Sequence, residues 1–149
     1  MLLGFMGAGK SAVGAALAAQ LGWEHLDLDE EIERHEGRSV PEIFRDSGQA
    51  YFRALEAQLT RRLAERRRVV LSPGGGWITN PELLAGLPPG SLSVWLQVSP
   101  AEVLRRVRAA AAAGEVERPL LQTPDPAATV RELLAQREPL YRRAELAVS

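Results

Sequence analysis

The sequence predicts an α/β fold in which a parallel sheet is flanked by helices. Short apolar runs such as Val69–Ser72 and Leu92–Val98 alternate with helical stretches along the chain, and this alternation is typical of βα units. The segment Gly4–Ser11 (GFMGAGKS) matches the phosphate-binding loop G-x-x-x-x-G-K-[ST] at every fixed position, and such a loop joins a strand to a helix. We therefore expect one domain over residues 1–149, built around a phosphate site.

The first elements follow from local signals. Met1–Leu3 is expected to end a strand, and Ala12–Leu21 is rich in Ala and Leu, which favours a helix. Gly22 then stands in a C-cap position. A short strand is expected at His25–Leu28, followed by a helix at Asp29–Glu36 that stops at Gly37.

The middle of the chain is predicted to be mostly helical. Ser39 and Glu42 form a capping-box pattern that begins one helix. An amphipathic stretch follows at Gln49–Arg67, whose apolar face consists of Phe52, Leu55, Leu59 and Leu63. The arginines at 61, 62 and 66–68 are interpreted as the solvated face and end of this helix.

The remaining elements alternate in the same way. Val69–Ser72 and Leu92–Val98 are predicted strands, and Asn80-Pro81 begins a short helix between them. A capping box at Ser99–Glu102 begins a helix that extends to about Ala113. The last expected elements are a loop at 114–124, a helix from 125 past Pro139 and a strand at 145–148.

Lys10 is the only lysine among 18 Lys and Arg residues. An ammonium is a compact charge that can approach the β- and γ-phosphates inside a tight loop, whereas a guanidinium is a planar fork. The loop glycines let backbone N–H groups turn toward phosphate oxygens, and the following helix directs its positive end at the same anion. The Ser11 hydroxyl is expected to ligate Mg²⁺.

A second candidate group is Asp27 and Asp29, which follow a predicted strand. Two acids at i and i+2 on a strand end point the same way, and ligands in parallel sheets bind beyond the carboxyl ends of the strands. One acid is expected to hold magnesium-bound water and the other to meet a substrate hydroxyl. The alternative is an acidic helix N-terminus that complements the helix dipole.

Glycines and arginines supply the remaining candidates. Gly74–Gly76 removes every side chain from one strand end, so that a substrate can approach bare backbone; a flexible turn is the alternative. Arg53 is expected to be held by Glu56 three residues on. Arg118 and Arg137 lie near prolines in ERPLL and QREPLY.

Composition excludes several classes of protein. The net charge is −1, which disfavours nucleic acid as a partner. No cysteine is present, so thiol catalysis and disulfides are excluded. No apolar run approaches the ~20 residues that span a bilayer, and no signal peptide is visible. We expect a cytoplasmic protein without membrane or nucleic-acid partners.

With these motifs in place, nearly the whole chain resembles the shikimate kinases. Six ordered motifs carry the resemblance: the phosphate-binding loop Gly4–Ser11 and, after it, LDLD at 26–29, YFRALE at 51–56, Gly74–Gly76, RPLL at 118–121 and REPLYR at 137–142. It implies a P-loop NTPase fold of the nucleoside-monophosphate-kinase type, with a five-stranded parallel sheet, a substrate-binding region at about 28–56 and a mobile lid at about 109–124. It also implies transfer of the ATP γ-phosphate to the 3-hydroxyl of shikimate by a monomer.

The resemblance assigns a role to each candidate residue. Lys10, Asp29 and Arg118 would be catalytic, and Ser11 and Asp27 would hold Mg²⁺. Shikimate would lie among Asp29, Arg53, Arg137 and Gly74, Gly75 and Gly76, with Phe44 and Phe52 as an apolar wall. ATP would contact Gly7, Ala8, Gly9, Lys10, Ser11, Ala12, Arg106 and Arg118.

Two alternatives remain open from the sequence. One is another small-metabolite kinase of the same fold, acting on gluconate or a nucleotide, although such a substrate would not need two carboxylate-binding arginines and an aspartate for a diol. The other is a kinase-derived binding module without catalysis. A GTPase with an Asn-Lys-x-Asp motif is excluded, because Lys10 is the only lysine.

Overall fold

Parallel strands form the centre of the molecule. The computed structural model describes residues 1–114 and 122–149, and within them lie the strands β1 (Leu2–Leu3), β2 (Glu24–Asp27), β3 (Val69–Ser72), β4 (Val94–Leu96) and β5 (Leu146–Val148). One hydrogen-bonded sheet has the order β1-β4-β5 and the other pairs β2 with β3, and all pairs are parallel. The predicted α/β class with parallel strands is therefore confirmed.

Helices connect these strands. They are α1 (Lys10–Leu21), α2 (Leu28–Glu36), α3 (Val40–Ala64), α4 (Pro81–Ala85), α5 (Pro100–Ala112) and α6 (Pro126–Tyr141), with a 3₁₀ turn at Trp77–Thr79. Gly22 and Gly37 end α1 and α2 in the left-handed conformation, as predicted. The capping box at Ser39 and Glu42 is also present, with both reciprocal hydrogen bonds.

Three element boundaries differ from the prediction. Leu28 begins α2 and does not extend β2, because the Asp27 carboxylate accepts a hydrogen bond from the Glu30 N–H and so caps the helix. α3 ends at Ala64 and not at the expected Arg67, whereas the two helices expected on either side of Gly48 are both present within α3 and meet at a kink where Gly48 adopts φ 87°. β4 is shorter than 92–98, because its partners pair only with residues 94–96.

One main apolar core holds these elements together. The predicted apolar face of α3, consisting of Phe52, Leu55, Leu59 and Leu63, is buried in it. The same core includes Leu3 and Phe5 beside the phosphate-binding loop, and Trp77 and Tyr141 near the glycine triplet. Burial of such side chains is the main favourable term in folding, so the loops at one end of the strands are built directly on the core.

In the described residues, no helix combines the length and the apolar character that a membrane span requires.

Candidate active site

The phosphate-binding loop lies between β1 and α1. Gly7 and Gly9 have φ values of 80° and 92°, a backbone region that side chains rarely adopt, so the turn requires glycine at both positions. Gly9 is the N-cap of α1. The Lys10 ammonium extends back across the loop and donates to the carbonyl oxygens of Gly4 at 2.8 Å and Phe5 at 3.0 Å. The one lysine thus spans the loop, from its last turn back to the backbone at its start.

Arg106 reaches this loop from α5. Its Nη1 donates to the Gly7 carbonyl at 2.8 Å, and its Nε donates to Glu102 at 2.6 Å. The hydrogen bonds from Arg105 and Arg106 lower the pKa of Glu102 to about 2. Ala8 is buried in the loop, and Ala12 is exposed on the first turn of α1. Arg106 therefore borders the loop on one side.

Ser11 and Asp27, the two candidate magnesium ligands, lie next to each other. The Ser11 hydroxyl donates to Asp27 Oδ2 at 2.7 Å. Asp27 Oδ1 accepts from the Glu30 N–H at 3.2 Å, so the carboxylate is held by its helix-capping role. The described residues contain no group of three or more His, Cys, Asp or Glu side chains that could enclose a metal ion.

The prediction that Asp27 and Asp29 both project from a strand end is wrong. Asp27 ends β2, whereas Asp29 belongs to the first turn of α2 together with Glu30 and Glu31. The acidic helix N-terminus, the alternative interpretation, is therefore correct as a description of the backbone. Both residues nevertheless lie at the carboxyl end of β2, Asp27 as its last residue and Asp29 two residues on.

Asp29 has a perturbed titration. Burial, together with the nearby Asp27 carboxylate, raises its pKa to about 6, while Lys10 and Arg53 act in the opposite direction. Desolvation penalises the charged form of a carboxyl group, and a neighbouring like charge adds to this penalty. A carboxyl group that titrates near neutral pH is suited to exchanging a proton with a substrate.

Each glycine of the triplet borders a different functional group. A Cβ atom on Gly74 would lie 2.9 Å from Asp29 Oδ2, and one on Gly76 would lie 2.5 Å from Arg53 Nη2. A Cβ atom on Gly75 would lie 3.1 Å from the backbone N of Met6, inside the phosphate-binding loop. Real Cβ atoms do not approach as closely as in the first two cases, so a side chain at Gly74 or Gly76 would displace the Asp29 carboxylate or the Arg53 guanidinium. The triplet thus leaves room for these two groups and is not simply a flexible turn.

Arg53 is held on one side of the triplet. Its Nη1 donates to Glu56 Oε1 at 2.8 Å, which confirms the expected pair. Glu56 is only 2% exposed, and burial raises its pKa although Arg53 lowers it. The Arg53 guanidinium also lies 5.4 Å from the centre of the Phe52 ring, which packs against Phe44 with ring centres 4.6 Å apart. The predicted apolar wall is thus next to the arginine.

Arg137 approaches the triplet from α6. Its Nη1 donates to the Gly75 carbonyl at 3.2 Å, and its guanidinium lies 5.5 Å from the centre of the Phe5 ring. The Tyr141 hydroxyl donates to the same carbonyl at 2.9 Å. Burial raises the pKa of Tyr141 to about 12, so this hydroxyl remains a donor. Arg53 and Arg137 therefore lie along one short backbone segment.

Sequence reasoning missed some of this arrangement. Tyr141 and the Met6 backbone amide carry no motif signal of their own, and Glu102 was treated only as part of a helix cap. Arg118 lies outside the described residues, as do residues 115–121 of the expected lid. The structure brings the other candidates to the same end of the strands.

Known proteins were compared with the chain as a whole. A family model described as shikimate kinase matches residues 6–149. A shikimate kinase of Nitrobacter winogradskyi is 45% identical over 148 residues, covering 99% of this chain and 67% of that protein. One from Parasynechococcus marenigrum is 45% identical over 147 residues, covering 99% and 74%.

Solved structures agree with these matches. The shikimate kinase of Acinetobacter baumannii, solved in complex with shikimate, superposes with a TM-score of 0.86 at 39% identity, covering 99% of this chain and 80% of that one. The enzyme from Bacteroides thetaiotaomicron gives a TM-score of 0.87 at 34% identity, covering 99% and 84%. With the family model matching almost its entire length, the chain belongs to the shikimate kinase family.

Proposed function

We propose that the protein transfers the γ-phosphate of ATP to the 3-hydroxyl of shikimate, giving shikimate 3-phosphate on the route to chorismate and the aromatic amino acids. One observation carries the proposal. Asp29 and Arg53 border the same glycine triplet that also receives Arg137, and the middle glycine packs against the phosphate-binding loop. A hydroxy acid in this position would have its carboxylate beside cations and a hydroxyl beside the donor phosphate.

The acceptor side is assigned to Asp29, Arg53, Arg137 and Gly74–Gly76. A guanidinium presents paired N–H groups that match the two oxygens of a carboxylate. Arg53 and Arg137 both contact or border the triplet, which supports their joint action on the shikimate carboxylate. Phe44 and Phe52 would contact the apolar side of the ring, and Asp29 would accept hydrogen bonds from the hydroxyls.

The nucleotide side is assigned to the phosphate-binding loop and its neighbours. Gly7, Ala8, Gly9, Ser11 and Ala12 would surround the phosphates with backbone N–H groups at the start of α1. Lys10 would exchange its carbonyl contacts for phosphate oxygens. Arg106 would contact the adenine, and Arg118 would approach the phosphates from the lid.

Ser11 and Asp27 fit a magnesium ion. Mg²⁺ prefers oxygen ligands, and it is usually held by few protein groups together with substrate phosphates and water. The adjacent Ser11 and Asp27 oxygens meet this description, as does the lack of a larger acidic cluster in the described residues. When bound, the ion would neutralise charge on the phosphate oxygens.

Positioning accounts for most of the chemistry. Phosphoryl transfer needs the nucleophile in line with the phosphorus and stabilisation of charge on the equatorial oxygens. Asp29, with a pKa raised to about 6, is mainly ionised at pH 7.5. Its carboxylate would orient the 3-hydroxyl and take up its proton as the new P–O bond forms, while Lys10 would stabilise the charge on the transferred group.

We also propose how the strands are arranged in the sheet and where the substrate-binding region and the lid lie. β1 lies beside β3, which supports a single five-stranded sheet in the order β2-β3-β1-β4-β5. We assign residues 1–149 to one kinase domain, with the acceptor region at about 28–56 and the lid at about 109–124. We also propose that the enzyme is a cytoplasmic monomer without a membrane partner, and its net charge of −1 disfavours a nucleic-acid partner.

A coupled assay of ADP release tests the proposed reaction. Turnover with ATP and shikimate is expected, and gluconate and nucleoside monophosphates should give little by comparison. Equal or higher turnover with gluconate or a nucleotide would reject shikimate as the acceptor. No ADP release with any acceptor, despite ATP binding, would instead indicate a binding module.

The proposed lid has its own test. Hydrogen exchange of peptides covering 109–124 should slow when ATP and shikimate are both added. Equal protection with and without the ligands would contradict a lid in this region.

A further inference from the structure

A partly buried chain of hydrogen bonds links β2 and β3 to the first residue of α1. His25 Nε2 lies 3.0 Å from Ser72 Oγ, and Ser72 Oγ lies 3.2 Å from the carbonyl oxygen of Lys10. We propose that His25 and Ser72 are positioning residues that fix the first turn of α1, and with it Lys10 and Ser11, for nucleotide binding. This inference deepens the proposed kinase function and rests on it.

The direction of the hydrogen bonds follows from their chemistry. A carbonyl oxygen can only accept, so Ser72 must donate its single proton to Lys10. The Ser72 oxygen then accepts from His25, which requires a proton on Nε2. Ser72 is only 1% exposed, and a buried hydroxyl without a partner is costly. Only one arrangement of protons therefore satisfies both hydrogen bonds: His25 donates to Ser72, and Ser72 donates to the Lys10 carbonyl.

The hydrogen-bonded chain joins β2, β3 and α1, the three elements that lead into the active site. β2 and β3 pair in parallel, with Asp27 opposite Ser72, so His25 and Ser72 project from neighbouring strands on the same face of the sheet. β2 ends at Asp27, and β3 leads into the glycine triplet. Lys10 begins α1. A shift of Ser72 would thus move the phosphate-binding residues relative to the acceptor-binding residues.

Gly14 shows how closely the helix rests on this pair. A Cβ atom on Gly14 would lie 2.5 Å from His25 Nε2 and 2.7 Å from Ser72 Oγ. Since Gly14 is in the second turn of α1, its backbone is in direct contact with the two side chains. The helix is therefore held by both a hydrogen bond at Lys10 and close packing at Gly14.

Nucleotide affinity is the measurement that tests this role. Ser72→Ala should weaken Mg·ATP binding, measured by calorimetry, by about three- to tenfold, the usual size of one lost hydrogen bond. The KM for shikimate should stay unchanged, because Arg53 and Arg137 do not contact Ser72. Ser93→Ala is the matched control: Ser93 is also buried and accepts a hydrogen bond, from Glu145 N, but it lies away from the loop.

A double variant separates positioning from general loss of stability. His25→Phe should weaken Mg·ATP binding by about twofold in the natural background, since it removes one donor to Ser72. It should have no further effect in a Ser72→Ala background, because His25 acts through Ser72. If the two substitutions weakened Mg·ATP binding additively, the hydrogen-bonded chain from His25 to Lys10 would be rejected. An equal loss of Mg·ATP affinity in Ser93→Ala would reject it as well.

Two further outcomes would overturn the proposal. Unchanged Mg·ATP affinity in Ser72→Ala would show that the first turn of α1 does not depend on the hydroxyl. Nitrogen NMR at pH 8.5 should find the proton of His25 on Nε2, with exposed His35 as reference; a proton on Nδ1 alone would exclude donation to Ser72. Both measurements use binding or spectra, so they are independent of whether shikimate proves to be the acceptor.

Discussion

Lys10 places a single positive charge within the phosphate-binding loop, whose backbone conformation depends on its glycines. Its ammonium lies 2.8 Å from the Gly4 carbonyl and 3.0 Å from the Phe5 carbonyl. Lys10→Ala should therefore abolish measurable turnover while the thermal unfolding midpoint changes little. Lys10→Arg should also fail, because a planar fork does not fit a site shaped for a point charge. ADP release measures both variants, and near-normal activity of Lys10→Arg would contradict the argument.

The two acceptor arginines have different local roles. Arg137→Ala should raise the dissociation constant for shikimate by roughly ten- to a hundredfold, since a charge-assisted hydrogen bond contributes about 1.5–3 kcal/mol. Arg53→Ala should do the same and also lower the melting temperature, because it leaves buried Glu56 without its ion-pair partner.

Titration calorimetry with shikimate and with ATP distinguishes these effects. Arg61→Ala, on the exposed side of α3, is the matched control and should change neither affinity. A fall in ATP affinity alone, in either acceptor variant, would mean that the acceptor pocket is assigned to the wrong residues.

At the scale of elements, local signals predicted most boundaries. These signals act within one or two turns of chain, and the structure has them as expected. They are the glycines at 22 and 37, the capping box at Ser39 and the prolines at the start of α4, α5 and α6. The end of β2 was missed because Asp27 is compatible with both a strand end and a helix cap. The length of β4 is set by its pairing with β1 and β5, and a local sequence pattern does not show which residues of a strand will be paired.

The sequence predicted which chemical groups the site contains, but it did not predict which of these groups contact each other. The motifs identified a phosphate-binding loop, acids, arginines and a glycine triplet. They could not indicate that Gly74 packs on Asp29 and Gly76 on Arg53, nor that Gly75 binds a side chain 62 residues away. Such contacts depend on how α2, α3 and α6 pack around the end of β3, which is a property of the tertiary structure.

The glycine triplet allows a test of this packing. Gly76→Ala should weaken shikimate binding about as much as Arg53→Ala, because its Cβ would lie 2.5 Å from Arg53 Nη2 and displace the guanidinium. Gly37→Ala is the control, since its Cβ meets open space and its φ of 69° makes the substitution cost only stability. Calorimetry with shikimate compares the two. Unchanged affinity in Gly76→Ala would show that Arg53 can move without loss of binding.

At the scale of the whole molecule, Asp29 connects activity with global stability. Its folded-state pKa of about 6 lies above the value of 3.8 for an unperturbed aspartate, so the folded protein binds this proton more tightly than the unfolded chain does. The stability that protonation contributes is fully present below about pH 4 and is lost as pH rises through about 6. Activity has the opposite dependence, because only the ionised carboxylate can accept the proton of the substrate hydroxyl.

Asp29→Asn should therefore separate the two properties. Turnover should fall by roughly 10²–10⁴, the usual size of a general acid–base contribution, while ATP affinity changes little, because the magnesium ligands are assigned to Ser11 and Asp27. The melting temperature should be about 2–6 °C above that of the natural protein at pH 8, and the difference should vanish near pH 4. In the natural protein, kcat should decline as pH falls through about 6.

Thermal unfolding and steady-state assays from pH 4 to pH 8 measure both dependences on the same samples. Asp46→Asn is a matched control, because Asp46 is an exposed carboxylate on α3 whose pKa is lowered by Arg45; neutralising it should not stabilise the protein at pH 8. If Asp29→Asn is no more stable than the natural protein at pH 8, the carboxylate is not penalised by burial. A pH-independent kcat between 5 and 8 would remove Asp29 from proton transfer, leaving orientation of the hydroxyl as its role.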